Sequence, residues 1–167
     1  STYANAKELS KLTLGETTQY IDTYSPDVLQ AVPRSLNRDS LFIKQDNLPF
    51  YGEDVWYGYE LSWLNNKGKP IVAVAEFRIP CTTPNIIESK SFKLYLNSLN
   101  QSKFASRQEV ENILTKDLSA TAGADISVLL FSVDDCPSLA IESPNYICID
   151  GCDITVNTYD FSAEYLQ

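Results

Sequence analysis

Histidine is absent from this 167-residue chain. Without it, neither a Ser–His nor a Cys–His dyad can be assembled from these residues, and no histidine metal site either. Long apolar runs are missing too. "IVAVA" and "VLLF" have the length of core strands, well short of the ~20 residues that cross a bilayer. The opening residues, "STYANAKELS", lack the charged-then-apolar order of a secretory signal, so a cytoplasmic location is expected. Basic residues run out early. All 13 Lys and Arg lie in 1–116, where 13 acids balance them, whereas 117–167 carries nine acids and no base. The net charge of −9 is therefore the charge of that last stretch. It reads first as a solvated flank and second as a surface for a basic partner. The lack of any basic stripe argues against a phosphate-backbone binder, so neither nucleic acid nor membrane is an expected partner.

Cysteine is scarce: Cys81, Cys136, Cys148 and Cys152. In a reducing compartment these are not expected to form a disulfide framework. "CIDGC" has the wrong spacing for a zinc knuckle, so no metal site is expected. No thiol stands in an evident activating context, and the acidic surroundings of the last three disfavour a thiolate.

What is present supports one well-buried domain: 44% hydrophobic residues, with 10 Tyr, 7 Phe and 2 Trp. Residues 1–53 are full of turn-formers ("YSPDVLQAVPRSLNRDS", "DNLPFYG") and predict an N-terminal arm packed on a core formed by 54–167. Within the arm, "VPRSLNR" sets Arg34 and Arg38 close together, where solvation or pairing with a nearby acid is expected of exposed arginines. From Val55 onward, "VWYGYELSWLN" and "PIVAVAEFRIP" are aromatic and β-branched runs joined by "NKGK", which predicts a β-hairpin. Ile71, Ala73, Ala75, Phe77 and Ile79 alternate onto one face, Glu76 and Arg78 onto the other, which is at least partly wet. "DISVLLFSV" is a third strand, and "YICIDGCDITV" offers a short strand with a hairpin partner.

Two helices lie between these strands. Phe92, Leu96 and Leu99, with Tyr95 beside them, recur at helical spacing. Ser106 and Glu109 form an S-x-x-E capping box before Val110, Ile113, Leu114 and Leu118, and Gly123 suits the stop. The element order predicts an α+β domain, an antiparallel sheet with two helices on one face.

The first helix begins in "IIESKSFKLYLNS", residues 86–98. The plainer reading makes Ser89 the cap, sets Glu88 against the positive end of the helix dipole, and leaves Lys90 and Lys93 solvated. The functional reading uses the same physics. A carboxylate held among backbone N–H groups can accept the paired N–H/NH2 edge of a guanine-like base. The neighbouring hydroxyl, the ammonium and the helix N-terminus suit a phosphate or ribose.

The run Glu88, Ser89, Lys90, Ser91, Phe92, Lys93, Leu94, Tyr95 resembles the signature of the NADPH-dependent 7-cyano-7-deazaguanine (preQ0) reductases. "LTLGETTQY", "VPRSLNRD", "DNLPF", "YELSWLN" and "CIDGCDITV" are similar to the N-terminal half of their longer, two-module form. The resemblance spans nearly the whole chain. It implies a tunnelling fold whose copies assemble into a barrel-like oligomer. It also implies reduction of the preQ0 nitrile to the amine preQ1 with NADPH, a step towards the tRNA base queuosine. In that chemistry a cysteine thiolate attacks the nitrile carbon to give a thioimide, two hydride transfers follow, and an acid donates protons. By the motif, Ile87, Glu88 and Ser89 correspond to substrate contacts, and Ser89 and Lys90 to NADPH contacts.

The sequence departs from the family in lacking what its second half carries: the nucleophilic cysteine, the acid seven residues on and a His–Glu pair that binds substrate. The nucleophile of the two-module enzymes lies in a second-half stretch like S-N-C-L-I-T-x-Q-P-D-W-G, and no such stretch occurs here. Cys81 has no comparable context and reads as a strand-end residue. The expectation is thus an N-terminal module with no catalytic residue of its own, inactive alone, whose partners are preQ0, the missing C-terminal module and other copies of itself. The alternative is a non-catalytic purine-binding or assembly module. A pterin-synthesis relative of the same fold would need histidine.

Overall fold

The structure, a computed structural model, describes residues 20–138 and 140–165. The chain separates into Ser1–Cys136 and Pro137–Gln167. The first unit carries, in order, β1 (Ala31–Pro33), α1 (Ser35–Arg38), β2 (Glu53–Leu64), β3 (Pro70–Pro80), β4 (Asn85–Ile87), α2 (Ser89–Ser98), α3 (Arg107–Ala122) and β5 (Ser127–Phe131). Strands β2, β3 and β5 form one antiparallel sheet in that order, and β1 pairs with β4 in a second. This is the α+β architecture that the sequence predicts. Of the predicted arm, residues 1–19 lie outside the described residues.

The hairpin turns where Asn65 accepts from the amides of Lys67 and Lys69, each at 2.9 Å, and Gly68 takes φ +80°. Only glycine adopts that conformation without strain. Up the strands the register shifts between Gly58 and Leu61, a β-bulge. The extra residue matters because it lets both Trp56 and Leu61 fall on the helix-facing side, opposite Phe77 and Ala73. That side is the core. Ala73, Ala75, Phe77 and Ile79 pack there against Phe92, Tyr95 and Leu99 of the α2 region and Val110, Leu114 and Leu118 of α3. The three α3 residues have no exposed surface, and burying each stabilises the fold by about 1.5–3 kcal/mol. Ile71 and Ile113 are only partly buried at its margin.

Ser106 caps α3 as its motif predicts: its Oγ accepts from the Glu109 amide at 3.1 Å. Glu109 answers by accepting from the Ala105 amide at 2.6 Å, one residue before the cap. At the far end Gly123 stands at φ +81°, where an added Cβ would meet Pro84 Cγ at 2.6 Å. The stop of α3 is thereby pressed against the loop that leads into β4.

The other face of the sheet is not uniformly wet. Glu76 is 6% exposed, and its carboxylate accepts from Arg78 Nε at 2.5 Å and from the Tyr57 hydroxyl at 2.6 Å. The Arg78 guanidinium first, and then Tyr57, hold this carboxyl below its usual range. Arg78 also pairs with Glu53.

Three expectations need correction. "YICIDGCDITV" forms no strand: it is irregular apart from a turn in which the Cys152 amide donates to Ile149 O. Its alternation breaks at Gly151, and Ile147, Ile149, Ile154 and Val156 are all exposed. No strand pairs with it among the described residues, so the ladder bonds that reward a β conformation are not made. Arg38 is not an exposed, acid-paired arginine. It is buried, donating to Gln45 Oε1 and the Cys81 carbonyl, each at 2.8 Å, with Phe50 beneath its guanidinium. Arg34 does find an acid, Asp54, at 2.5 Å. Finally, Ser89 does not cap α2; Glu88 does.

Tyr24, in the segment before β1, ties this unit together further. Its hydroxyl and that of Tyr95 both donate to Asp117 Oδ2 on α3, each at 2.7 Å. Burial first, and the bond to Asp117 second, push both phenols well above their usual range.

Candidate functional site

Strand β4 ends at Ile87 and α2 begins at Ser89, so Glu88 is the one residue between them. Pairing with β1 fixes the approach, with Ala31 opposite Ile87 and Val32 opposite Ile86. The Glu88 amide then donates to Gln30 O at 2.8 Å, and its backbone stays extended at φ −62°, ψ 127° before the helix starts. That geometry turns its long side chain back over the first helical turn. Oε1 accepts from the Lys90 amide at 2.8 Å and Oε2 from the Ser91 amide at 2.7 Å. The Ser89 hydroxyl lies 3.5 Å from Oε1. Only 4% of the residue is exposed. The negative charge thus sits on the positive end of the α2 dipole, with two charge-assisted bonds.

Two of the amides that an incoming phosphate would use at this N-terminus are therefore engaged by Glu88 itself. What a ligand meets instead are the flanks, where two clefts open. One, of about 420 Å³, is lined by Ile86 and Ile87 of β4, Ile79, Val55, Trp56 and the Arg34–Asp54 pair. The other, of about 460 Å³, runs between β2 around its bulge and α2. Ser89, Lys93 and Asn97 line its helical side at four-residue steps, hence on one face of α2. Trp56, Tyr59, Phe77 and Phe92 give it aromatic surface.

The residues that the sequence singles out are thus divided. Ile87 lines the apolar cleft and Ser89 the aromatic one, whereas Glu88, between them in the chain, lines neither. Lys90 contributes its amide to the Glu88 cap. None of the four cysteines lines either cleft; Cys81 follows β3, its amide donating to Gly52 O. Sequence reasoning missed Trp56, the one residue common to both linings, because an aromatic residue in an apolar strand reads as core. The signal that could have found it is the alternation of "VWYGYELSWLN". Trp56 and Leu61 share a face only if the strand bulges, and bulges collect beside functional sites. Among the described residues, no three His, Cys, Asp or Glu side chains cluster as metal ligands, and no helix is long and apolar enough to cross a membrane.

Residues 20–130 match the family described as nitrile reductase, 7-cyano-7-deazaguanine-reductase N-term. Over 166 residues the chain is 64% identical to the NADPH-dependent 7-cyano-7-deazaguanine reductase of Colwellia psychrerythraea. The alignment takes in 98% of this chain and 58% of that relative. From the matched span and that identity, the chain belongs to the 7-cyano-7-deazaguanine nitrile reductase family, in its N-terminal part.

Proposed function

We propose that this chain is the N-terminal module of an NADPH-dependent reductase. The enzyme converts the nitrile of 7-cyano-7-deazaguanine to the aminomethyl group of preQ1, in the cytoplasmic route to queuosine. The observation that carries this reading is the buried Glu88 carboxylate at the β4–α2 junction, with its neighbour Ile87 on one cleft and Ser89 on the other, in a chain 64% identical to a reductase of that name. The amides of Lys90 and Ser91 hold one oxygen each of this carboxylate, and an ionised carboxylate can accept a planar N–H/NH2 edge with charge-assisted bonds. Such a group suits the N–H/NH2 edge of a deazaguanine. Ile87, Glu88 and Ser89 are assigned to the base, and Ser89 and Lys90 to the cofactor.

The donor set fits a phosphorylated dinucleotide. Ser89 and Lys93 present a hydroxyl and an ammonium to the same cleft, one helical turn apart, beside aromatic walls on which a flat ring can stack. When bound, NADPH supplies the hydride. This chain's residues bind and orient: the capped carboxylate is held rigid by the helix, and the aromatic cleft keeps water from a bound ring. The thiol that attacks the nitrile is assigned to the C-terminal module, the partner of this one in the enzyme, and assembly joins several copies.

The experiment is NADPH oxidation with preQ0, run with this chain alone and after adding the C-terminal module of the Colwellia relative. No turnover alone and restored turnover on addition are expected. Turnover by the chain alone would assign the nucleophile to one of its own cysteines, Cys81 first. Tight preQ0 binding with no turnover in either mixture would favour a non-catalytic purine-binding module.

A further inference from the structure

We propose that Arg34 and Arg38 are positioning residues for the Glu88 carboxylate: by gripping the β3–β4 loop they pin the register of the β1–β4 ladder, and through it the place where Glu88 meets the base. This inference rests on the reading above and extends it to residues outside the β4–α2 turn. The ladder needs such support. It has two strands of three residues each, and an isolated two-stranded pair is marginal in water. Pro33, in its last pair, has no amide to give. A slip of one residue would turn Ile86 and Ile87 to the opposite faces and carry the Glu88 amide off Gln30 O. What holds the register stands at the closed end. The Arg34 amide donates to Pro84 O at 2.9 Å, one step beyond the last pair. Its guanidinium, anchored by Asp54, reaches Thr83 Oγ1 at 3.2 Å and Pro80 O at 3.4 Å. Arg38 donates to the Cys81 carbonyl, and Gln45, which accepts from Arg38, donates from Nε2 to Thr82 O at 2.6 Å. The carbonyls of Pro80, Cys81, Thr82 and Pro84 are thus all held by the segment that follows β1. Burying Arg38 opposes folding, because the residue is 9% exposed and its hydrogen bonds among the described residues go to neutral acceptors. A planar fork that spans two loops accounts for its retention there; the four-residue helix α1 does not require it.

Arg34 lines the apolar cleft, so its own substitution would mix contact with positioning; Arg38 and Gln45 line neither cleft and give the cleaner test. Arg38→Lys keeps the charge and loses the fork. Gln45→Ala removes an exposed side chain and with it the Thr82 tether, and it decides the matter where Arg38→Lys shows no cooperative thermal transition. By calorimetry, each should weaken preQ0 binding to this chain about fivefold, the factor that one net hydrogen bond of ordinary strength accounts for. A merely structural role predicts the same fractional loss whatever residue stands at position 88. Positioning predicts otherwise. In a Glu88→Asp background, where the carboxylate no longer reaches the base, neither substitution should weaken binding further. Affinity preserved in every variant that folds would overturn the clamp and leave the assignment of Glu88 standing. An equal loss in both backgrounds would overturn it too, by showing that the substitutions act on the fold at large. Failure of the unaltered chain to bind preQ0 would overturn the underlying assignment of the Glu88 site, and the clamp with it.

Discussion

The two long helices begin in different ways. Helix α3 starts at Ser106, whose hydroxyl accepts one amide while Glu109 reaches back to the segment before it. Helix α2 starts at Glu88, whose carboxylate accepts two amides and is 4% exposed. Serine is among the residues that cap helices best, because a short side chain reaches the free amides with little loss of entropy. Glutamate is not: its longer side chain must fold back, and its burial removes a charge from water. Helix initiation alone explains α3. At α2 the fold retains a charge where a hydroxyl would serve the helix, at a residue whose two chain neighbours line one cleft each. The contrast is what the binding role proposed for Glu88 would account for.

The sharpest way to break the comparison is to remove the carboxylate. Glu88→Ala leaves the Lys90 and Ser91 amides without their side-chain acceptor, Ser91 being fully buried. Each buried donor left unsatisfied costs about 1–3 kcal/mol, so a loss of about 3 kcal/mol is expected in urea unfolding, together with loss of preQ0 binding. A loss smaller than that of a serine cap would mean that the carboxylate is structurally idle and its burial needs another cause.

A smaller effect tests how α2 is held after it has started. Tyr95→Phe keeps the ring in the core and removes the bond to Asp117, for about 2 kcal/mol, since the acceptor is a carboxylate. It also has a pH signature. The folded state raises the Tyr95 and Tyr24 phenols above their unfolded value near 10 and so retains protons that the unfolded chain releases. Their contribution is therefore complete below about pH 10 and is lost as pH rises above it. Urea midpoints between neutral pH and pH 11 should fall more steeply for the unaltered chain than for Tyr95→Phe. Parallel curves would show that the phenol does not titrate with unfolding.

How much of this was legible in the sequence follows from the range of each interaction. The hairpin, both long helices, β5 and the α3 cap are local, and their periods and turn residues stand in contiguous stretches. Strands β1 and β4 were missed because three residues cannot display an alternation, and their pairing joins Ala31 to Ile87 across the chain. The β2 bulge was hidden because it is defined by a partner strand. Arg38 was misplaced because its partners, Gln45 and the Cys81 carbonyl, come from loops. "YICIDGCDITV" failed in the opposite direction: local alternation was present, but no strand pairs with it among the described residues. At the start of α2 the plainer reading gave the cap to Ser89, because serine is the commoner cap and only the extended backbone of Glu88 reveals the exchange.

The smallest stability effect is the most discriminating. Aspartate is a good N-cap, and Glu88→Asp keeps the charge at the start of α2 while drawing it in by one methylene. Its unfolding free energy should stay within about 1 kcal/mol of the unaltered chain, comparable to the ~1 kcal/mol expected for Ser106→Ala at the start of α3. Binding should divide the two variants. Ser106→Ala should leave preQ0 affinity unchanged, because neither Ser106 nor either of its chain neighbours lines a cleft, whereas Glu88 stands between Ile87 and Ser89, which line one each. Glu88→Asp should weaken it at least tenfold, because a shortened carboxylate that still serves the helix no longer reaches the base, and one charge-assisted bond accounts for about that factor. If calorimetry shows equal preQ0 affinity for Glu88→Asp and the unaltered chain, the Glu88 carboxylate is a helix cap like Ser106 and nothing more, and recognition of the base must be sought among the walls of the cleft.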